Sequence, residues 1–136
     1  MRNIILLVIG QKVDGKLICE TLGKSFVTEE IQSATEAINY IDANNKKICG
    51  IVLDSGISDA GYVSVIKYLE ATSLVGSFPI LLLTHFNEID DLSCYDEIDD
   101  VSIKPVNPSV FKKRMRNLVE LYNYRRNAKK EEMINN

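Results

Sequence analysis

Three short stretches, residues 4–9, 48–53 and 79–83, are apolar along almost their whole length and do not alternate with polar positions. Strands buried on both faces read this way, because a parallel sheet carries helices over each side. The first run follows Met1-Arg2-Asn3 and resembles the core of a signal peptide. It is short, however, and Gln11, Lys12 and Asp14 follow at once, so we read it as a strand. Between the runs the apolar spacing is helical. Thr28 reads as an N-cap with Glu29 and Glu30 in the first turn, and Ile31, Ala34, Ile38 and Ile41 share one face of a helix ending near Asn44-Asn45. Tyr62, Val65, Ile66 and Leu69 repeat the pattern after Gly61, and Leu17, Ile18 and Leu22 do so more weakly after Gly15. Residues 25–27 and 101–103 read as two weaker strands, and the faint periodicity of 87–100 predicts a short or mobile helix there.

Strand and helix thus alternate five times, which predicts an α/β doubly wound, flavodoxin-like fold with five parallel strands in the order 2-1-3-4-5. In such a sheet ligands gather at the carboxyl ends of the strands. Here those ends are Ile9-Gly10-Gln11, Leu53-Asp54-Ser55, Leu83-Thr84-His85 and Ile103-Lys104-Pro105. The last helix opens with Asn107 as cap and Pro108 as first helical residue, and its apolar positions are Val110, Phe111, Leu118, Val119 and Tyr122. Residues 1–122 therefore read as one domain. Residues 123–136 read as a polar helical linker or dimerising stalk with nothing in the domain to pack against.

Composition narrows the class. The chain has 136 residues, enough for one core and no second folded domain, and its net charge of −3 argues against a nucleic-acid surface over the whole body. Arg114, Arg116, Arg125, Arg126, Lys129 and Lys130 are interleaved with Glu120, Glu131 and Glu132, which reads as a solvated helix. No apolar run approaches the roughly 20 residues of a membrane span, and Cys19, Cys49 and Cys94 are far apart and read as buried thiols of a reducing, cytoplasmic compartment.

Asp54, Thr84 and Lys104-Pro105, each closing its own strand, bring together a carboxylate that can accept a phosphoryl group, a hydroxyl that can bind the new oxygens and an ammonium that can neutralise them. In order and spacing these positions resemble the receiver (CheY-like) domains of bacterial two-component response regulators over about residues 3 to 122. The resemblance implies Asp54 as phosphoacceptor and Thr84 and Lys104 as phosphoryl-binding switch residues. It also implies a cis Lys104-Pro105 bond, a histidine kinase or phosphotransfer protein as partner, an output domain in cis or in trans, and homodimerisation. It implies a phosphorelay module, not an enzyme with turnover.

The departures are equally specific. The acidic pair that such domains use to help hold Mg²⁺ falls at Ile9 and Gly10, which leaves Asp54 as the one metal-directed acid of the motif and Mg²⁺ a doubtful cofactor. Asp14, Asp59 and Glu88 are the candidate replacements. The aromatic switch position is Val101, and the loop after Asp54 is one residue short to its glycine. Two readings follow: a receiver that accepts or mimics phosphorylation at Asp54 with weak or no Mg²⁺ dependence, and a phosphorylation-independent interaction module in which Asp54 pairs directly with Lys104 and Phe111 or Tyr122 support association. A flavodoxin-like small-ligand binder is a remote third, since phosphate-cradling glycines are missing. His85 reads as a surface histidine, with no G-x-S-x-G elbow or zinc ligand pair near it.

Overall fold

The computed structural model describes residues 1–57 and 61–135, which form a five-stranded parallel sheet in the order β2-β1-β3-β4-β5. Chain order is β1 (Ile4–Val8), α1 (Lys12–Leu22), β2 (Val27–Ile31), α2 (Ala34–Asn44), β3 (Ile48–Asp54), α3 (Gly61–Ala71), β4 (Ile80–His85), two 3₁₀ turns (Phe86–Asp91 and Tyr95–Glu97), β5 (Asp100–Lys104) and α4 (Pro108–Asn135). The doubly wound fold and strand order predicted from the apolar runs are those observed.

The central strand β3 is buried at every position, as its unbroken apolar run requires. Its residues alternate between two cores. Ile51 and Leu53 join Leu6 and Val8 under Ala37 and Ile41 of α2 and Val65, Ile66 and Leu69 of α3. On the other face Val52 joins Ile5, Leu7, Ile9 and Leu83 under Ile18 and Leu22 of α1 and Phe111, Met115 and Val119 of α4. Gly50 lets α4 cross β3 closely: a Cβ there would clash with the Met115 Cε and touch Val119 at 3.7 Å.

The second strand lies further along than the sequence predicts. Thr28, Glu29 and Glu30 belong to strand β2, not to the start of a helix. This strand is a sheet edge, so all but Ile31 face solvent at least in part and no apolar run marks it. The true cap of α2 is Ser33, whose side chain accepts the Glu36 N–H at 3.3 Å, and the buried face is Ala34, Ala37 and Ile41, with Ile38 half-buried. Helix α1 begins at Lys12, so Gly15 lies inside it, and Leu17 is exposed. The expected fourth helix is replaced by the two 3₁₀ turns.

The last helix starts as expected, with Asn107 Oδ1 accepting the Val110 N–H at 3.1 Å, but Val110 itself is exposed and Met115 takes the buried position. Phe111 and Tyr122 are interior residues, 1% and 7% exposed. Nor is the polar extension free of the domain. Arg126, one turn beyond Tyr122, donates to the Ser77 carbonyl at 2.7 Å. A carboxylate helps fasten the helix: Asp99 accepts the Ile80 N–H at 2.7 Å through Oδ2 and the Tyr122 hydroxyl at 2.5 Å through Oδ1. Of the cysteines, only Cys49 is buried; Cys19 and Cys94 are half-buried, and all three thiols are free. Among the described residues no helix is long and apolar enough to cross a membrane.

Removing the Tyr122 hydroxyl (Tyr122→Phe) is expected to cost about 1–3 kcal/mol, the value of a hydrogen bond to a charged acceptor. Phe111→Ala is expected to cost about 3–5 kcal/mol as a core cavity. Urea unfolding followed by circular dichroism measures both.

Candidate functional site

The carboxyl ends of β1, β3, β4 and β5 converge because adjacent crossovers leave to opposite faces. Asp54 is the last residue of β3 and pairs in register with Leu83, and Thr84 and Ile103 pair in the neighbouring ladder. Asp54, Thr84 and Lys104, expected to meet in one crevice, therefore lie at or next to the carboxyl ends of adjacent strands of the sheet.

Asp54 is 2% exposed, and both its oxygens are occupied by donors. Oδ2 accepts the Lys104 ammonium at 2.9 Å and the Gly10 N–H at 3.2 Å, while Oδ1 accepts the Gly56 N–H at 2.9 Å. Lys104 is shared: its Nζ also lies 3.2 Å from Asp14 Oδ2, in the first turn of α1. Burial pulls the Lys104 ammonium towards its neutral form, but the hydrogen bond and charge of Asp54, followed by those of Asp14, outweigh it and hold its pKa above the ordinary lysine value. The Lys104-Pro105 bond is cis.

Thr84 is fully buried, and its hydroxyl oxygen accepts the Ser55 hydroxyl at 3.0 Å; the same Ser55 Oγ lies 3.3 Å from Glu88 Oε2. Thr84 is thereby bound to the loop after Asp54 and not to the Asp54 carboxylate. Of the candidate replacement acids, Asp14 reaches the site through Lys104 and Glu88 touches its rim through Ser55. Asp59 lies outside the described residues. His85 is exposed at the end of β4.

Ile9 packs in the α1–α4 core and is fully buried. Gly10 contributes backbone alone, and a Cβ there would stand 3.2 Å from the Gly56 carbonyl oxygen, so the short loop after Asp54 closes down on this glycine. Val101 is half-buried, and its carbonyl accepts from Arg114 at 3.1 Å. The donors Gly10 and Ser55 carry no motif of their own; Gly56 lies two residues after Asp54, the spacing of an Asx turn.

Away from this crevice, Cys94, Glu70 and Glu97 place their ligand atoms within 4.8 Å of one another. Burial and then the Glu97 charge push the Cys94 thiol up, opposing the thiolate that a metal would need.

The sequence matches no family model and no curated protein. Solved structures do match. The signal receiver domain of a protein assigned as a Luxo repressor from Vibrio parahaemolyticus superposes with a TM-score of 0.83 at 16% identity, over 94% of this chain and 98% of that one. The chain has the response-regulator receiver fold. A structure assigned as a response regulator from Chloroflexus aurantiacus gives a TM-score of 0.78 at 20% identity, over 88% of this chain and 99% of that one. One described as an adenylate cyclase from Rhodopirellula baltica gives 0.79 at 19% identity, over 99% of this chain and 98% of that one. At these identities the likeness is one of receiver architecture, five parallel strands in the order 2-1-3-4-5.

Lys104→Met leaves the buried Asp54 carboxylate without its cation and is expected to cost about 3–5 kcal/mol. Asp14→Asn, at a side chain 30% exposed, is expected to cost less than about 1 kcal/mol. Because the folded-state pKa of Lys104 is raised, its contribution is complete below the unfolded value of about 10.4 and is lost as pH rises through the folded value. Denaturation midpoints measured from neutral to alkaline pH should fall more steeply in the parent chain than in Lys104→Met.

Proposed function

We propose that the chain is a signalling module, a receiver of two-component type, in which Asp54 accepts or mimics a phosphoryl group with little dependence on Mg²⁺. The observation that carries this is the buried Asp54 carboxylate paired at 2.9 Å with the ammonium of Lys104, beside Thr84 on the strand between them. An acidic oxygen held next to a fixed cation is what transfer from a phosphohistidine of a kinase or phosphotransfer protein requires. The carboxylate attacks phosphorus, the P–N bond breaks, and the charge gathers where the ammonium can offset it. Thr84, which accepts from Ser55, would donate its own hydroxyl hydrogen to the new oxygens. Residues 1–122 act as the receiver unit, and residues 123–136 lead towards an output element.

Among the described residues, the groups around Asp54 suit a magnesium ion poorly. Hard divalent cations take several oxygen ligands with anionic charge. Here Asp54 and Asp14 already share one ammonium, Gly10 and Gly56 fill further acceptor positions, and Ile9 and Gly10 bring no acid. The loss of the acidic pair belongs to this reading.

The same saturation of Asp54 favours a second reading, in which the ion pair holds the domain permanently in one state and the module works by protein contact alone. Incubating the chain with acetyl phosphate or a phosphoramidate, with and without Mg²⁺, and measuring intact mass separates the two. One added phosphoryl group, insensitive to Mg²⁺ and lost in Asp54→Asn, is expected. No added mass at any Mg²⁺ concentration overturns phosphoryl acceptance and leaves the contact-only reading.

A further inference from the structure

We infer that the chain carries a second binding site, separate from Asp54: a basic cleft at the amino-terminal edge of the sheet that takes a nucleotide through its phosphates. Arg2, just ahead of β1, and Gly76-Ser77, ahead of β4, form one wall, and the outer turns of α4 form the other. The cleft has a volume of about 560 Å³. That is the range of small-ligand sites, about 300–1,000 Å³, and far exceeds a lone phosphate.

Four cationic side chains line it, Arg2, Arg125, Arg126 and Lys129, against one acid, Glu132. Among the described residues no carboxylate lies within ion-pair distance of any of the four. Two of the guanidinium groups are held in place by oxygens that carry no full charge. Arg2 Nη1 donates to the Asn45 and Ile48 carbonyls at 2.7 and 3.1 Å. Arg126 donates through Nη2 to the Ser77 carbonyl at 2.7 Å and through Nη1 to Asn123 Oδ1 at 2.8 Å. Each guanidinium has five N–H donors, so both keep donors for an anion. The two cations also repel: after burial, the charge of Arg126 is the main influence lowering the Arg2 pKa. Fixed, like-charged groups with unspent donors gain most from a phosphate, which offsets the repulsion and fits guanidinium geometry.

The cleft also offers a flat contact. Tyr124 lines the cleft and is 74% exposed, and the Arg125 guanidinium lies 5.4 Å from the centre of the Tyr122 ring. A ring and planar cations beside a phosphate-binding group suit a nucleobase. In sequence Arg125, Arg126 and Lys129 look like a solvated helix face; the fold sets Arg2, from the opposite end of the chain, across from them.

The test titrates the whole chain with ADP, pyrophosphate, inorganic phosphate and a short DNA duplex by isothermal calorimetry. Saturable one-to-one binding of ADP is expected, tighter than pyrophosphate and weakening with added salt. Arg125→Gln and Lys129→Gln, both at exposed positions, should each weaken ADP by about tenfold or more, the usual order for a hydrogen bond to a charged group. Tyr124→Leu should weaken ADP and leave pyrophosphate unchanged, and Asp54→Asn should leave both unchanged. Absence of saturable ADP binding, unchanged affinity in both Arg125→Gln and Lys129→Gln, equal ADP binding in Tyr124→Leu, or tighter binding of duplex than of ADP would each overturn the proposal.

Discussion

A carboxylate at the end of a strand that is buried throughout has to be satisfied from within the protein, and the Asp54 site is organised around that requirement. Burying an unpaired carboxylate costs several kcal/mol, enough to consume much of the ~5–15 kcal/mol stability of a small domain. Asp54 meets it with three donors drawn from different places in the chain: Lys104 from the end of β5, Gly10 from just beyond β1 and Gly56 from the loop that follows Asp54 itself. A change in strand order would remove at least one of them. The sheet positions the ammonium, and the turns that follow β1 and β3 position the amides.

The opposite end of the molecule follows the same logic with a different carboxylate. Asp99 joins the start of β4 to α4 by accepting from Ile80 and Tyr122. Beyond that point Arg126 fixes the helix to Ser77. The helix therefore leaves the domain along a set direction, with its polar turns against the amino-terminal edge of the sheet. Nearer its start α4 packs through Phe111 and Met115 on the same core face as Ile9, next to Gly10 and the Asp54 site.

What was legible in the sequence follows from how burial writes itself into composition. β1, β3 and β4 are covered on both faces and appear as apolar runs, so the alternation of strands and helices and the positions of Asp54 and Thr84 near strand ends could be read from them, whereas Lys104 closes the weaker β5. β2 is an edge whose residues, apart from Ile31, face solvent at least in part. Thr28-Glu29-Glu30 therefore imitated a helix start, while the real start, Ser33 with Glu36 three positions on, has the spacing of a capping box. The segment after β4 lacks an apolar stripe to hold a helix down, and Phe86 there is 76% exposed, which is consistent with its 3₁₀ turns. Within the site, side-chain types were visible but backbone donors were not. Gly10 reads as a missing acid in sequence; in space its N–H is a ligand of Asp54. The reach of Asp14 depends on the rotation of α1, which no local pattern encodes.

That rotation bears on how such a site would respond to a phosphoryl group. At rest Asp14, Asp54 and Lys104 carry two negative charges and one positive. An acyl phosphate on Asp54 would put about two negative charges where the carboxylate had one. With a divalent cation the surplus would be absorbed at the metal, but here Lys104 is the cation both acids touch. The ammonium cannot serve a dianion and Asp14 equally, and Asp14 is the more exposed partner, with water available to replace the lysine. Phosphorylation at Asp54 would therefore act first on the bond between Lys104 and α1, releasing Asp14 towards solvent. A domain with Val101 where an aromatic switch is expected would then relay its change through the start of α1, which shares its core face with α4.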